Sequence, residues 1–343
     1  MGPLGRIADQ DLTGYRQALE IRPFSFPEDH GAHPGFRNEW WYFTGNLMAH
    51  NGHRFGYQAT FFRIALAPDA TQRPSAWATH QIWMAHMAIS DLETGQHLAA
   101  QRFARDALGI AGSSRLPLKV WLEDWQLELA PDGRGWSLAL KEKGFAFDLY
   151  MDPLKPVVLQ GNQGLSKKGT TPGNASYYYS IPRLQTRGSL SLDGRQYQVQ
   201  GNSWLDREWS SSALEEGQLG WDWFALQFDS GEELMYYQIR RRDQSLDGNS
   251  RGSWIDRQGR ASALSADQVQ LKPVRYWVSE QGERFPVSWQ LSWPQQDKKW
   301  LIDAVFDDQL MEMAVRYWEG AVTVTDVASG RLAGRGYLEM TGY

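Results

Sequence analysis

Cysteine is absent from all 343 residues, which removes disulfides, thiol nucleophiles and thiolate metal sites. Long apolar runs are missing too, since none reaches the roughly 18 residues of a membrane-spanning helix. There is no surplus of positive charge. The net charge is −5, and a nucleic-acid binder would show a basic face. The opening Met1-Gly2-Pro3-Leu4-Gly5-Arg6 lacks the hydrophobic centre of a signal peptide, which fits either an intracellular chain or one whose leader has been removed. Histidine stops early, with all seven before residue 100. His80 and His86 share a face if their segment is extended, but six residues at about 3.3 Å each separate them by roughly 20 Å, too far for one ion. His50 and His53 flank Asn51-Gly52, and His30 and His33 lie in a loop. HExxH, GxSxG, P-loop and GxGxxG patterns are all lacking, so no metal and no cofactor is expected.

Aromatic residues are abundant. Seventeen Trp, fourteen Tyr and fourteen Phe make 13% of the chain, which favours strands and large buried pockets. The length exceeds the usual single domain, so two domains are expected. From Glu39 onward a two-residue period dominates. Trp41, Phe43, Gly45 and Leu47 alternate with more polar neighbours up to Asn51-Gly52, a strong hairpin signal, and Phe55, Tyr57, Ala59 and Phe61 form the return strand. One strand is read through Trp121, Trp125, Leu127 and Leu129. Leu138 and Leu140 precede a turn at Lys143-Gly144, after which Phe145, Phe147 and Leu149 alternate. Gly188 to Gly194 forms a hairpin returning through Tyr197 and Val199, and further strands are read at 221–229, 233–241, 286–293, 317–325 and 335–343. Before residue 30 a short helix capped by Asp9 or Asp11 is expected to run to about Glu20. The expected fold is all-β, with antiparallel sheets in barrels or sandwiches.

An internal repeat favours barrels. Trp41-Tyr42-Phe43 matches Trp223-Phe224-Ala225, Tyr57-Gln58 matches Tyr237-Gln238, and Arg63 and Arg240 follow those glutamines. Ser210–Gly217, small and polar, forms a natural boundary. The expected organisation is an arm over 1–30, a first domain over 31–215 and a second over 216–343. The glycine-rich stretch 160–174 reads either as a lid or binding loop or as a surface excursion.

The best chemical candidate is Trp204-Leu205-Asp206-Arg207-Glu208-Trp209. On a strand, Trp204, Asp206 and Glu208 point to one face and Leu205, Arg207 and Trp209 to the other. Two carboxylates beside an indole in an apolar cavity would have one pKa raised, leaving a proton donor near neutral pH. Salt bridges to Arg63, Arg207 or Arg240 would instead make them structural. Tyr177 and Tyr179 share a face, as pocket-lining phenols or as packing. Arg240-Arg241-Arg242 reads as a strand end with solvated charges.

These motifs carry a family resemblance. His33-Pro34-Gly35 with Glu39-Trp40-Trp41-Tyr42-Phe43-Thr44-Gly45 resembles the AttH-like family, which includes carotenoid 1,2-hydratase (hydroxyneurosporene synthase). Lys167-Lys168-Gly169, Ser176-Tyr177-Tyr178-Tyr179-Ser180 and Trp204–Trp209 resemble its branch of predicted secreted hydrolases. The resemblance runs from about residue 30 to the C-terminus. It implies two tandem lipocalin-like barrels, export to the periplasm or beyond, and often a neighbouring ABC-type transporter. It also gives Asp206 a role in adding water to an isoprenoid double bond. Trp204 stands where the hydratases carry Tyr, and an upstream His of that branch falls near Tyr177–Tyr179, where this chain has none.

The combined expectation is a monomeric, exported protein with an aromatic-lined cavity for an extended hydrophobic ligand. In the carrier reading it delivers an isoprenoid or lipid-like molecule to a transporter. In the enzyme reading Asp206 protonates a C=C bond, Glu208 holds water or tunes Asp206, and Trp204 stabilises the cation. Trp41, Phe43, Trp223, Tyr177 and Tyr179 are expected to line the cavity, with Glu39 a structural anchor.

Overall fold

The computed structural model describes residues 12–68, 79–212, 214–243 and 245–343. Thirteen strands form the first sheet: β1 (Asn38–Ala49), β2 (Arg54–Ala65), β3 (Gln81–Asp91), β4 (Gln96–Arg105), β5 (Ala111–Arg115), β6 (Leu118–Leu122), β7 (Trp125–Leu129), β8 (Trp136–Glu142), β9 (Phe145–Pro153), β10 (Val158–Leu159), β11 (Leu165–Lys167), β12 (Ala175–Leu192) and β13 (Arg195–Ser210). Ten form the second: β14 (Gln218–Phe228), β15 (Glu233–Arg241), β16 (Arg251–Ile255), β17 (Ala261–Ser265), β18 (Gln270–Val278), β19 (Arg284–Trp293), β20 (Lys298–Ala304), β21 (Leu310–Met311), β22 (Tyr317–Asp326) and β23 (Leu332–Thr341). Among the described residues helical structure is confined to 3-10 turns at Glu28–His30 and Pro294–Gln296, and no helix is long and apolar enough to cross a membrane.

Both sheets are antiparallel and wind alike. The first runs β4-β3-β2-β1-β13-β12 and onward to β5, and the second runs β17-β16-β15-β14-β23-β22 and onward to β18. They curl into two lipocalin-like bodies, a near-barrel and a half-barrel. Chain passage between the sheets falls between Ser210 and Gln218.

Side-chain parity decides which residues meet. On β1, Trp41, Phe43 and Leu47 enter the core of the first barrel, while Tyr42 joins a separate cluster between the two barrels. On β13, Leu205 and Trp209 point inward and Trp204 points to that inter-barrel cluster. On β14, Phe224, Leu226 and Phe228 fill the second core while Trp223 and Ala225 face the first barrel.

The repeat is therefore real but shifted by one residue from the match read in the sequence. Trp41 lies inside its barrel and Trp223 outside, so they are not equivalents. Buried acid–arginine pairs give the true alignment. Glu39 bonds Arg63 inside the first barrel, and Asp222 bonds Arg240 at 3.1 Å in the second. Glu39-Trp40-Trp41 thus corresponds to Asp222-Trp223-Phe224. A one-residue slip exchanges the faces of a strand, which the aromatic run could not reveal because it is aromatic on both faces. Arg240, read as a solvated charge, is consequently half-buried, with Tyr343 stacked 3.8 Å from its guanidinium carbon.

Two local readings are corrected. Residues 12–20 form turn and coil rather than the end of a helix, and Asp9 and Asp11 lie outside the described residues. The single strand through Trp121 and Trp125 is a hairpin, β6 and β7, turned at Glu123-Asp124 with Glu123 at φ 57°. The 160–174 stretch contains β11 and is pinned to the passage between barrels, where the Glu215 carboxylate accepts the backbone N–H groups of Thr170 (3.0 Å) and Thr171 (2.6 Å).

Candidate active site between the barrels

The main cavity, ≈ 1820 Å³, lies between the outer faces of the two barrels rather than inside either one. Its walls include Tyr42, Tyr178, Asp206 and Glu208 from the first sheet and Trp223 and Glu339 from the second. The interior of the first barrel is filled. Phe24 packs on Tyr177, Tyr179 and Trp209, and His30 bonds the Tyr179 hydroxyl at 2.6 Å.

Asp206 sits in the middle of a continuous pairing, opposite Tyr42 on β1 and opposite Ser180 on β12. Three donors converge on its carboxyl: Tyr178 Oη at 2.5 Å, Ser180 Oγ at 2.5 Å and Trp204 Nε1 at 2.7 Å. It is buried, and among the described residues it has no cationic partner in hydrogen-bond or ion-pair reach. Burial pushes its pKa up to about 7. The three donors pull the other way, and the nearby Glu208 adds to the rise.

The arginines read as alternative partners are engaged elsewhere. Arg63 and Arg207 both bind Glu39, Arg207 at 2.7 Å, inside the first barrel. Arg207 also lies over Trp41, 3.6 Å from the ring centroid. Glu39, wholly buried between the two guanidiniums, is held well below the usual carboxylate range once their attraction offsets its burial. Glu208 does have a cation. Lys168, carried in by the 160–174 stretch, reaches Glu208 Oε1 at 3.2 Å and lies 4.2 Å from the ring centroid of Tyr237.

The structure brings Asp206, Glu208, Trp204 and Trp223 to the inter-barrel region. Trp204 bonds Asp206, and its ring meets that of Trp223 edge-on at 6.3 Å. Trp41, Phe43, Tyr177 and Tyr179 belong instead to the packed core of the first barrel, because each has the opposite strand parity. Among the described residues no three His, Cys, Asp or Glu side chains gather as a metal site.

A family model described as AttH-like matches residues 17–343. The chain belongs to the AttH-like family. Its fold is similar to the crystal structure of an AttH from Nitrosomonas europaea, with 36% identity, 96% of this chain and 99% of that chain covered, and a TM-score of 0.86. Kievitone hydratase from Nectria haematococca shares the fold at 15% identity over 96% of each chain, TM-score 0.72. CghA, in complex with Sch210972, does so at 13% identity over 97% of each chain, TM-score 0.55. No curated protein matches the chain in sequence.

In this AttH-like chain the second barrel adds acids that the sequence reading missed. Glu339 on β23 accepts the Trp221 indole N–H at 2.6 Å. Glu319 on β22, directly opposite Glu339, is fully buried and accepts the Tyr42 hydroxyl. Burial drives the proton affinity of Glu319 far up, and Glu339 adds to it. The signal was present in the sequence. Tyr317-x-Glu319-x-Ala321 and Tyr337-x-Glu339 each put an acid on the same parity as a strand aromatic, as Trp204-x-Asp206 does.

Proposed function

We propose that this protein takes an extended, largely apolar and unsaturated small molecule, of isoprenoid or lipid type, into the cleft between its barrels. There it adds water to a C=C bond or isomerises it, with Asp206 as the proton donor. The observation that carries this reading is the placement of Asp206, a buried carboxyl with three neutral donors and, among the described residues, no cation in reach, in the wall of a large aromatic cleft. A carboxylate locked to arginine would stay ionised and could not supply a proton. Asp206 is free to hold one near neutral pH.

The chemistry follows from the geometry. Asp206 gives its proton to one alkene carbon, and the positive charge left on the other carbon faces aromatic rings such as Trp223 and Tyr178. Water attack on that carbon with loss of a proton gives an alcohol. Loss of a neighbouring C–H proton back to Asp206 gives the isomer. Tyr178, Ser180 and Trp204 stabilise the carboxylate left behind. In this reading Glu208, held by Lys168, tunes Asp206 through its charge.

One observation favours a carrier as a second reading. The cleft exceeds the roughly 300–1,000 Å³ of common small-molecule sites, as suits a long cargo. Export to the periplasm or beyond, action as a monomer and delivery to an ABC-type transporter rest on the family resemblance. Mass spectrometry of molecules that co-purify with the native protein identifies the ligand. With that molecule, Asp206→Asn should bind with similar affinity and form no product. Product from Asp206→Asn overturns the enzyme reading, and no product from either form supports the carrier.

A further inference from the structure

We propose that Glu339, on the opposite barrel, is the second acid–base residue of this cleft and shares one mobile proton with Asp206. The inference rests on the enzyme reading above and assigns the step which that reading leaves open, namely which group takes the proton from the attacking water.

Glu208 is poorly placed for that step because its carboxylate is already paired with Lys168. Glu339 has no cation in ion-pair reach among the described residues, and its Oε1 accepts the N–H of the neutral Trp221 indole. It lies half-buried in the cleft wall. The described residues that bond it, pair with it or act on it through their charge include only neutral and acidic groups: Trp221 and Trp223 on β14, Tyr317 and Glu319 on β22, Tyr42 on β1, and Asp206 and Glu208 on β13 across the cleft. Lys168, which lines the same cleft, is paired with Glu208. Burial and the charges of Asp206 and Glu208 raise Glu339 to about 7, against the pull of Trp221. The surroundings contain a further unsatisfied group, since fully buried Glu319 keeps Oε2 without a hydrogen-bond partner. Two acids with matched proton affinity titrate as a pair, one holding the proton while the other stays ionised.

The step balances. Protonated Asp206 gives H⁺ to the alkene carbon, and ionised Glu339 takes H⁺ from the water whose oxygen bonds the cationic carbon. The elements of water have been added, and the proton now on Glu339 returns to Asp206 through solvent in the cleft.

Dicyclohexylcarbodiimide tests this without knowledge of the substrate. It reacts with a protonated carboxyl, taking up its proton and bonding its oxygen, and rearranges to a stable N-acylurea with nothing lost. After treatment of the intact protein across pH 5.5–8.5, peptide mass spectrometry should find adducts on both Asp206 and Glu339 near neutrality. In Glu339→Gln the pH at which Asp206 labelling falls by half should drop by about one unit, because a facing negative charge has gone. Trp221→Phe, which leaves the acid in place, should let Glu339 labelling persist about one unit higher, through loss of the bond that favours its charged form. An unmoved Asp206 profile in Glu339→Gln, or no adduct on Glu339, overturns the inference and leaves Asp206 as the proton donor. Absence of an adduct on Asp206 overturns both.

Discussion

The Tyr178 hydroxyl donates to Asp206 at 2.5 Å while its oxygen accepts the Trp223 indole N–H at 3.2 Å, so one phenol joins the acid of the first barrel to a strand of the second. The proton affinity of Asp206 therefore depends on how the barrels are docked as well as on its own strand.

Tyr178→Phe removes a hydrogen bond that favours the charged form of Asp206. Its carboxyl should then hold a proton to a pH about one unit above its present value near 7. The C=O stretching band of the protonated acid, followed by infrared titration against an Asp206→Asn control, reads this directly. A band that disappears at the same pH in both proteins would remove Tyr178 from the account.

The contribution of Asp206 and Glu339 to stability should fall as pH rises between about 4 and about 7. In the folded protein burial raises Asp206 from its ordinary 3.8 and Glu339 from 4.5 to about 7, so the pair still binds protons in this window. In that window these two groups bind protons in the folded state that they have released in the unfolded chain, so their contribution favours unfolding as the pH rises. In Glu339→Gln the loss of unfolding free energy across the window should be smaller by about 1–2 kcal/mol, less than full linkage because the group borders solvent in the cleft. Urea denaturation at pH 4.5 and 7.5 measures it, and equal slopes for the two proteins would refute it.

Glu39→Gln should be among the most damaging single changes outside the cleft. It leaves Arg63 and Arg207 facing each other in the first barrel without their shared anion, and a broken buried ion pair costs about 3–5 kcal/mol. The expected result is a large fall in the urea midpoint, or failure to fold.

Lys155→Met should loosen the docking of the barrels. Lys155 Nζ reaches across to Glu233 (2.5 Å) and to the carbonyls of Gly231 and Asp256 (both 2.7 Å), and Arg183 joins it on Glu233 at 2.6 Å. Without the lysine, calorimetry should resolve two transitions or a broadened one, as the two cores lose part of their coupling. A single, equally sharp transition would show that the apolar inter-barrel cluster suffices.

Much of this was legible in the chain. Alternation gave β8, β9, β15 and β23 to within a few residues, and the polar run after Trp209 marked the change of sheet. The common face of Trp204, Asp206 and Glu208 was also readable, because strand parity is strictly local. What parity cannot say is which face of a barrel strand turns inward. Glu39-Trp40-Trp41-Tyr42 is large on both faces, so the burial of Trp41 and the exposure of Tyr42 to the cleft are settled only by long-range packing. Glu319 and Glu339 were passed over for a related reason. Each is one acid among many in a chain of 40 Asp and Glu residues, and what distinguishes them is a facing sheet more than a hundred residues away in sequence.

Placing the cleft and its acids on the backs of the barrels separates two regions that enclosed binding barrels combine. In those barrels the wall that contacts a ligand is also the hydrophobic centre, so a change of specificity disturbs stability. In this protein Phe43, Trp136 and Leu205 on one side, and Phe224, Trp289 and Leu338 on the other, form interiors that face away from the cleft. Exchange of cleft residues such as Phe62, Tyr237 and Ile239 would therefore reshape the cleft while the two interiors stay as they are.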